Sequence, residues 1–125
     1  MPLESVIRRD RLIDEAISKT NYDKLTYHSS LLKNMINLKF QSITDNQISE
    51  LVEITKDALL ILDSYNDNLF KKSWLRKNNH NSFINKLNNT IIKKYNRHLG
   101  INEQDLDSLK NENDYIKFVL LKIYN

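Results

Sequence analysis

The sequence predicts an all-α protein, a compact and mainly antiparallel bundle of four or five helices, and three observations carry that expectation. The 125 residues include one Gly and one Pro. Sheets need tight turns every few residues, whereas a helical bundle needs only a handful of polar joints. Apolar residues recur three and four apart through most of the chain, the spacing that gathers side chains on one face of a helix. Between these stretches lie short polar segments rich in residues that cap helices.

A first amphipathic helix is expected over about residues 3–19. Leu3, Val6, Ile7, Ile13, Ala16 and Ile17 keep the helical spacing, and Arg8, Arg9, Arg11, Asp14 and Glu15 fill much of the opposite side. Thr20-Asn21 is the expected joint. From Tyr22 the series Leu25, Leu32, Met35, Ile36 and Phe40 continues the period to about residue 39, with Tyr27, His28 and Leu31 on its flanks.

Thr44-Asp45-Asn46-Gln47 has the form of a capping box, in which Thr44 satisfies free amides, Gln47 reaches back, and Asp45 suits the positive end of the helix dipole. Ile48, Leu51, Val52, Ala58, Leu59, Leu62, Tyr65 and Leu69 form the stripe behind it, with Thr55 as its polar member. Unbroken to Lys77 this helix would be roughly 50 Å long. The poor helix formers Ser64-Tyr65-Asn66-Asp67-Asn68 mark the expected kink or break.

The polar run Asn78-Asn79-His80-Asn81-Ser82 reads as a loop. A fourth helix then carries Phe83, Ile84, Leu87, Ile91, Tyr95 and Leu99, and Gly100, the only glycine, is expected as its left-handed terminator. Asn102 can cap a short helix over 103–110, and Asn113 a final helix bearing Tyr115, Ile116, Val119, Leu120 and Ile123. Phe118, Leu121 and Tyr124 make that last helix apolar nearly all round, so the expectation is burial in the bundle or cover from a partner.

A chain of this length supports one domain, here residues 1–125, burying roughly two-thirds of its unfolded surface. The absence of Cys excludes disulfides, thiolate metal sites and a cysteine nucleophile. MPLESVIRRDR meets charge before any apolar core of signal-peptide length, and the purest apolar runs, Ala58–Leu62 and Phe118–Leu121, are far short of the ~20 residues that span a bilayer. A cytoplasmic protein without a membrane span is expected.

One glycine excludes glycine-rich phosphate cradles, the dinucleotide fingerprint and the nucleophile elbow of GxSxG hydrolases. His28, His80 and His98 have no partner at the spacing of a helical metal site, so no metal or cofactor is expected. Carboxylates do pair at helical spacing (Asp10 with Asp14, Glu50 with Glu53, Asp63 with Asp67, Glu103 with Asp107), but each pair has polar neighbours and reads as a solvated face. The expectation is no enzyme.

Charge distribution is more informative. From Lys71 to His98 the basic residues are Lys71, Lys72, Arg76, Lys77, Lys86, Lys93, Lys94 and Arg97, with no Asp or Glu. Taking these eight from the 19 basic residues leaves 11 against 16 acidic ones, so a segment of +8 sits in a remainder of −5. Trp74 and Tyr95 interleave with the cations. Such a surface can pair with an acidic or amphipathic helical protein patch around an aromatic anchor, or it can neutralise phosphates while a ring stacks on a base. Alternatively, Trp74 and Tyr95 close the core and the lysines face water. The leading expectation is a non-enzymatic protein-binding module such as a chaperone, adaptor, inhibitor or immunity-type protein. Its partner-binding residues would be Lys71, Lys72, Trp74, Arg76, Lys77, Lys93, Lys94, Tyr95 and Arg97. A small nucleic-acid-binding regulator using the same segment is the second reading, and homo-oligomerisation through the C-terminal helix a third.

Leu12 to Lys77 resembles the flagellar (type III) export chaperones of the FliT and FlgN type. The matching features are Ala16-Ile17-Ser18-Lys19-Thr20-Asn21-Tyr22-Asp23-Lys24-Leu25, then Leu31-Leu32-Lys33-Asn34-Met35-Ile36, then Ile48 through Leu69. The likeness covers about half the chain. The charged pair those proteins usually carry before the Leu-Ile near the end of the second helix is absent, and the basic fourth helix has no counterpart. The resemblance implies a small cytoplasmic chaperone that holds a partner's helix in a groove.

Overall fold

Among the described residues of the computed structural model there are six helices and no strand, so the all-α expectation holds. The structure describes residues 3–69, 73–102, 104–105, 109 and 111–123, with side chains described for all of these except 3–4, 62, 65–69, 73–81, 83, 112 and 123. Contacts gather the chain into two compact units, Met1–Lys56 and Asp57–Asn125.

In the first unit α1 (Leu3–Thr20) packs on α2 (Asp23–Tyr27) and α3 (Ser29–Lys39), and α2 on α3. Ile13, Ala16, Ile17, Leu25, Leu32 and Ile36 are buried, as are Ile48, Leu51, Val52 and Ile54 of α4 (Asp45–Leu69). The joint after α1 falls where expected. Thr20 Oγ1 donates to the Ile17 carbonyl at 2.6 Å, and Asn21 takes a left-handed φ of 53°, a conformation asparagine tolerates better than most residues. The expected single helix over 22–39 is divided at His28 (φ −97°, ψ 17°). Tyr27, His28, Ser29 and Ser30 are all weak helix formers, which lowers the cost of the interruption.

Two side chains of α1 exchange the places the sequence suggested for them. Ile7 is 60% exposed and Arg9 only 5%. Arg9 lies four residues before Ile13 and eight before Ile17, which puts its aliphatic stem on the buried stripe. Its Nη1 donates to the carbonyls of Phe40 (2.8 Å) and Gln41 (3.4 Å), just beyond the end of α3. Further polar ties join α1 to later elements: Arg8 Nη2 to both Asp45 oxygens (2.9 and 3.1 Å), Asn37 Nδ2 to Asp10 (2.8 Å), and Lys33 Nζ to Asp14 (2.9 Å).

Helix α4 begins with the expected reciprocal cap. The Gln47 amide donates to Thr44 Oγ1 at 3.2 Å, and the Thr44 amide to Gln47 Oε1 at 2.9 Å. Its 25 residues extend about 37 Å. The helix runs without a break through 64–68 to Leu69, where the sequence suggested a kink or break, and Ser64 Oγ donates back to the Leu60 carbonyl at 3.2 Å within the helix. Phe70 to Lys72 fall outside the described residues, so the expected run to Lys77 is described as far as Leu69 and again from Ser73.

In the second unit α5 (Ser73–Tyr95) passes through 78–82, where a loop was expected. The Asn, His and Ser of this run each cost no more than about 0.7 kcal/mol relative to Ala in a helix, and with no Gly or Pro among them nothing forces a break. Ile84, Leu87 and Ile91 of α5 are buried. The terminator is Asn96, at φ 53° with its amide bonded to the Ile92 carbonyl at 2.9 Å, rather than Gly100. Gly100 is left-handed too (φ 66°), but it turns the chain four residues further on.

Asn102 and Asp105 cap one another, side chain to amide, at 3.1 Å in both directions, and the helix expected over 103–110 is otherwise largely outside the described residues. The last helix, α6 (Glu112–Ile123), is capped by Asn111 and not by Asn113, since Asn111 Oδ1 accepts from the Asp114 amide at 3.0 Å. Tyr115, Ile116, Val119 and Leu120 are buried while Lys117 is exposed and Leu121 39% exposed, so α6 keeps an outward side. The Tyr115 hydroxyl faces the Ala58 carbonyl at 3.4 Å, and burial pushes the phenol well above its ordinary pKa.

Candidate functional site

The described part of the all-basic segment, Ser73 to His98, falls on α5 and the turn after it. The buried residues Ile84, Leu87 and Ile91 fix which side of the helix faces the core, and the opposite side is therefore set by the 3.6-residue period. Ser82, Asn85, Lys86, Asn89, Ile92 and Lys93 are exposed. Lys86 and Lys93 are seven residues apart, so they stand two turns apart along one side, separated by about 10 Å. Neither pairs with a carboxylate among the described residues. Ile92, 38% exposed, adds an apolar element next to Lys93.

Lys94 and Tyr95 point elsewhere, and the reason is a residue the sequence reading passed over. Asp57 is 9% exposed, and both side chains converge on its Oδ2: Lys94 Nζ at 2.9 Å and the Tyr95 hydroxyl at 2.5 Å. The phenol bond has the short length of an O–H donor on a charged oxygen. Lys94 Nζ also lies 5.4 Å from the Tyr95 ring centroid. A buried carboxylate is stable only with such donors, so these two side chains have an internal task in holding α4 to α5. Spacing offered a signal for Asp57. It lies three residues after Ile54 and four before Ile61, both buried, so it occupies a buried flank of α4 that the main stripe did not include.

Arg97 is half-buried and engaged in further polar contact. His98 Nδ1 accepts from the Gly100 amide at 3.1 Å, a role in the turn. Lys71 and Lys72 lie outside the described residues, and so do the side chains of Trp74, Arg76 and Lys77, which belong to α5. Of the carboxylate pairs, Asp10 and Asp14 bind Asn37 and Lys33 separately, and Glu53 pairs with Lys56 at 2.8 Å. Among the described residues no group of His, Asp and Glu is arranged to hold a metal, and no helix is long and apolar enough to cross a membrane. No protein-family model, curated protein or solved structure matches this chain.

Proposed function

We propose that the chain is a non-enzymatic binding module which recognises an acidic or amphipathic helical surface of another protein through the basic face of α5. The observation that carries this reading is the pair Lys86 and Lys93, exposed on one side of the helix with Ile92 beside them, in a segment from Lys71 to His98 that has no acidic residue of its own. Unpaired cations steer an acidic partner into register, and the exposed apolar group gives the contact a desolvated centre. Trp74 is the aromatic best suited to anchor such a contact. Action is by occupancy and not turnover. The export-chaperone resemblance of Leu12 to Lys77 would make the partner an export substrate and the setting cytoplasmic.

The test compares affinity capture from the native host by the wild type, Lys86→Glu/Lys93→Glu and Trp74→Ala. Loss of the same partner from both variants is expected. Lys94→Glu is the wrong choice, because it would set a second carboxylate against Asp57. A parallel titration with a random duplex and a random single strand discriminates phosphate recognition, whose affinity falls log-linearly with salt. Tight, steeply salt-dependent duplex binding that the double variant abolishes would replace the protein partner with nucleic acid.

A further inference from the structure

A guanidinium stays protonated at any ordinary pH, so burying one is unfavourable unless its N–H groups find acceptors and its charge finds an anion. Arg9 meets this requirement on one side only. Nη1 is bonded to the Phe40 and Gln41 carbonyls, but Nε and Nη2 are buried with no hydrogen-bond partner among the described residues. No carboxylate pairs with Arg9 among the described residues. Nε and Nη2 together make one edge of the guanidinium, the two-donor fork that fits two oxygens of a carboxylate or phosphate. Arg9 also lines a cleft of about 210 Å³, open to solvent, whose other walls are Ser5, Arg8, Gln41, Ser42 and Ile43.

We propose that this cleft is a binding site for a small oxyanion, a phosphate or carboxylate group held by the free edge of Arg9. Three features support it. The cleft is smaller than the ~300–1,000 Å³ of ordinary ligand pockets and suits an anion with little attached to it. Ser5, Gln41 and Ser42 supply neutral polar groups in the same wall. The second cation, Arg8, is held by Asp45, which offsets its charge and leaves Arg9 as the cation of the cleft with no carboxylate partner among the described residues. A dianion that drew Arg8 away from Asp45 would engage both arginines, while a monoanion would use Arg9 alone. Since Nε and Nη2 have no exposed surface of their own, entry requires a small local shift. Arg8, with its side chain 55% exposed, and the exposed residues Gln41 and Ser42 have the freedom to make it. The site is independent of the basic face of α5.

The experiment measures Tm of the full-length protein against inorganic phosphate, methyl phosphate, acetate and chloride at constant ionic strength, for the wild type, Arg9→Met and Arg11→Met. Methionine keeps the buried stem of Arg9 without its charge, and Arg11, being exposed, is the control. A saturable rise of about 3–6 °C with phosphate or acetate over chloride is expected in the wild type and Arg11→Met, and none in Arg9→Met. Response to the phosphates alone identifies a phosphate ligand, and response to acetate a carboxylate. No anion-specific rise in the wild type, or an unchanged rise in Arg9→Met, overturns the proposal. Should Arg9→Met fail to fold, the wild-type Arg9 Nε resonance decides: it must shift saturably with the active anion, and a stationary resonance overturns the site.

Discussion

Burial gives individual polar residues their consequences here, and Tyr115 and Asp57 show two forms of it. Tyr115 is fully buried with its phenol pKa raised. Below pH ~10 both folded and unfolded chains hold that proton. Above it the unfolded chain releases it while the buried phenol does not, so the unfolded state binds fewer protons and stability falls as pH rises from about 10 toward the folded value. Tyr115→Phe is expected to cost no more than about 1 kcal/mol at pH 7, given the long bond to Ala58, and to give a shallower alkaline decline in the urea midpoint between about pH 8 and 11. Superimposable pH profiles would remove Tyr115 from that decline. At Asp57 the two donors are unequal. Tyr95→Phe leaves a buried carboxylate short of a short, charge-assisted bond and should cost about 1.5–3 kcal/mol. Lys94, whose side chain is 51% exposed, should cost under about 1 kcal/mol when changed to Met. Chemical denaturation of both single variants and the double variant gives the ranking and their coupling. Equal costs would mean that the ammonium, and not the phenol, dominates the site.

At the scale of elements, legibility follows from how locally each signal is determined. The Thr44/Gln47 cap and the Thr20-Asn21 joint were readable because each is settled within a few residues of chain. The 78–82 segment was not readable as helix because its individual propensities are poor, and the helix persists on what flanks it: Ile84, Leu87 and Ile91 must be presented together on one face. Arg9 and Asp57 were missed for a related reason. Charge marks a solvated face in most helices, whereas the spacing of these two to Ile13 and Ile54 places both on buried arcs. The end of α5 is ambiguous in the sequence, because Asn96 and Gly100 can both enter the left-handed region and both do. A left-handed residue that lacks asparagine's tolerance costs about 1–2 kcal/mol. Asn96→Ala is therefore expected to lower stability by about 1 kcal/mol while Asn96→Gly stays near neutral, measured by urea denaturation. An equal loss in both variants would show that the asparagine side chain, and not the backbone angle, matters at this position.

For the molecule as a whole, the governing quantity is the separation of charge, +8 between Lys71 and His98 against −5 in the rest. Such a field acts before contact, over about one Debye length, which is ~8 Å at physiological ionic strength. Its effect on a protein partner should therefore fall on the association rate, while dissociation reports the apolar and aromatic contacts made after docking. Lys86 and Lys93 are the described cations free to contribute, and Lys94 adds to the field but is held at Asp57. With a captured partner in hand, Lys86→Glu/Lys93→Glu should slow association roughly tenfold at low salt, a difference that shrinks as salt approaches ~0.5 M, and leave dissociation within about twofold. Trp74→Ala should show the converse, with faster dissociation and nearly unchanged association. Stopped-flow association and dissociation rates across a salt series separate the two. If the double charge reversal acts chiefly on dissociation, the lysines sit inside the contact as desolvated pairs, and the basic side of α5 is the centre of the interface and not its steering edge.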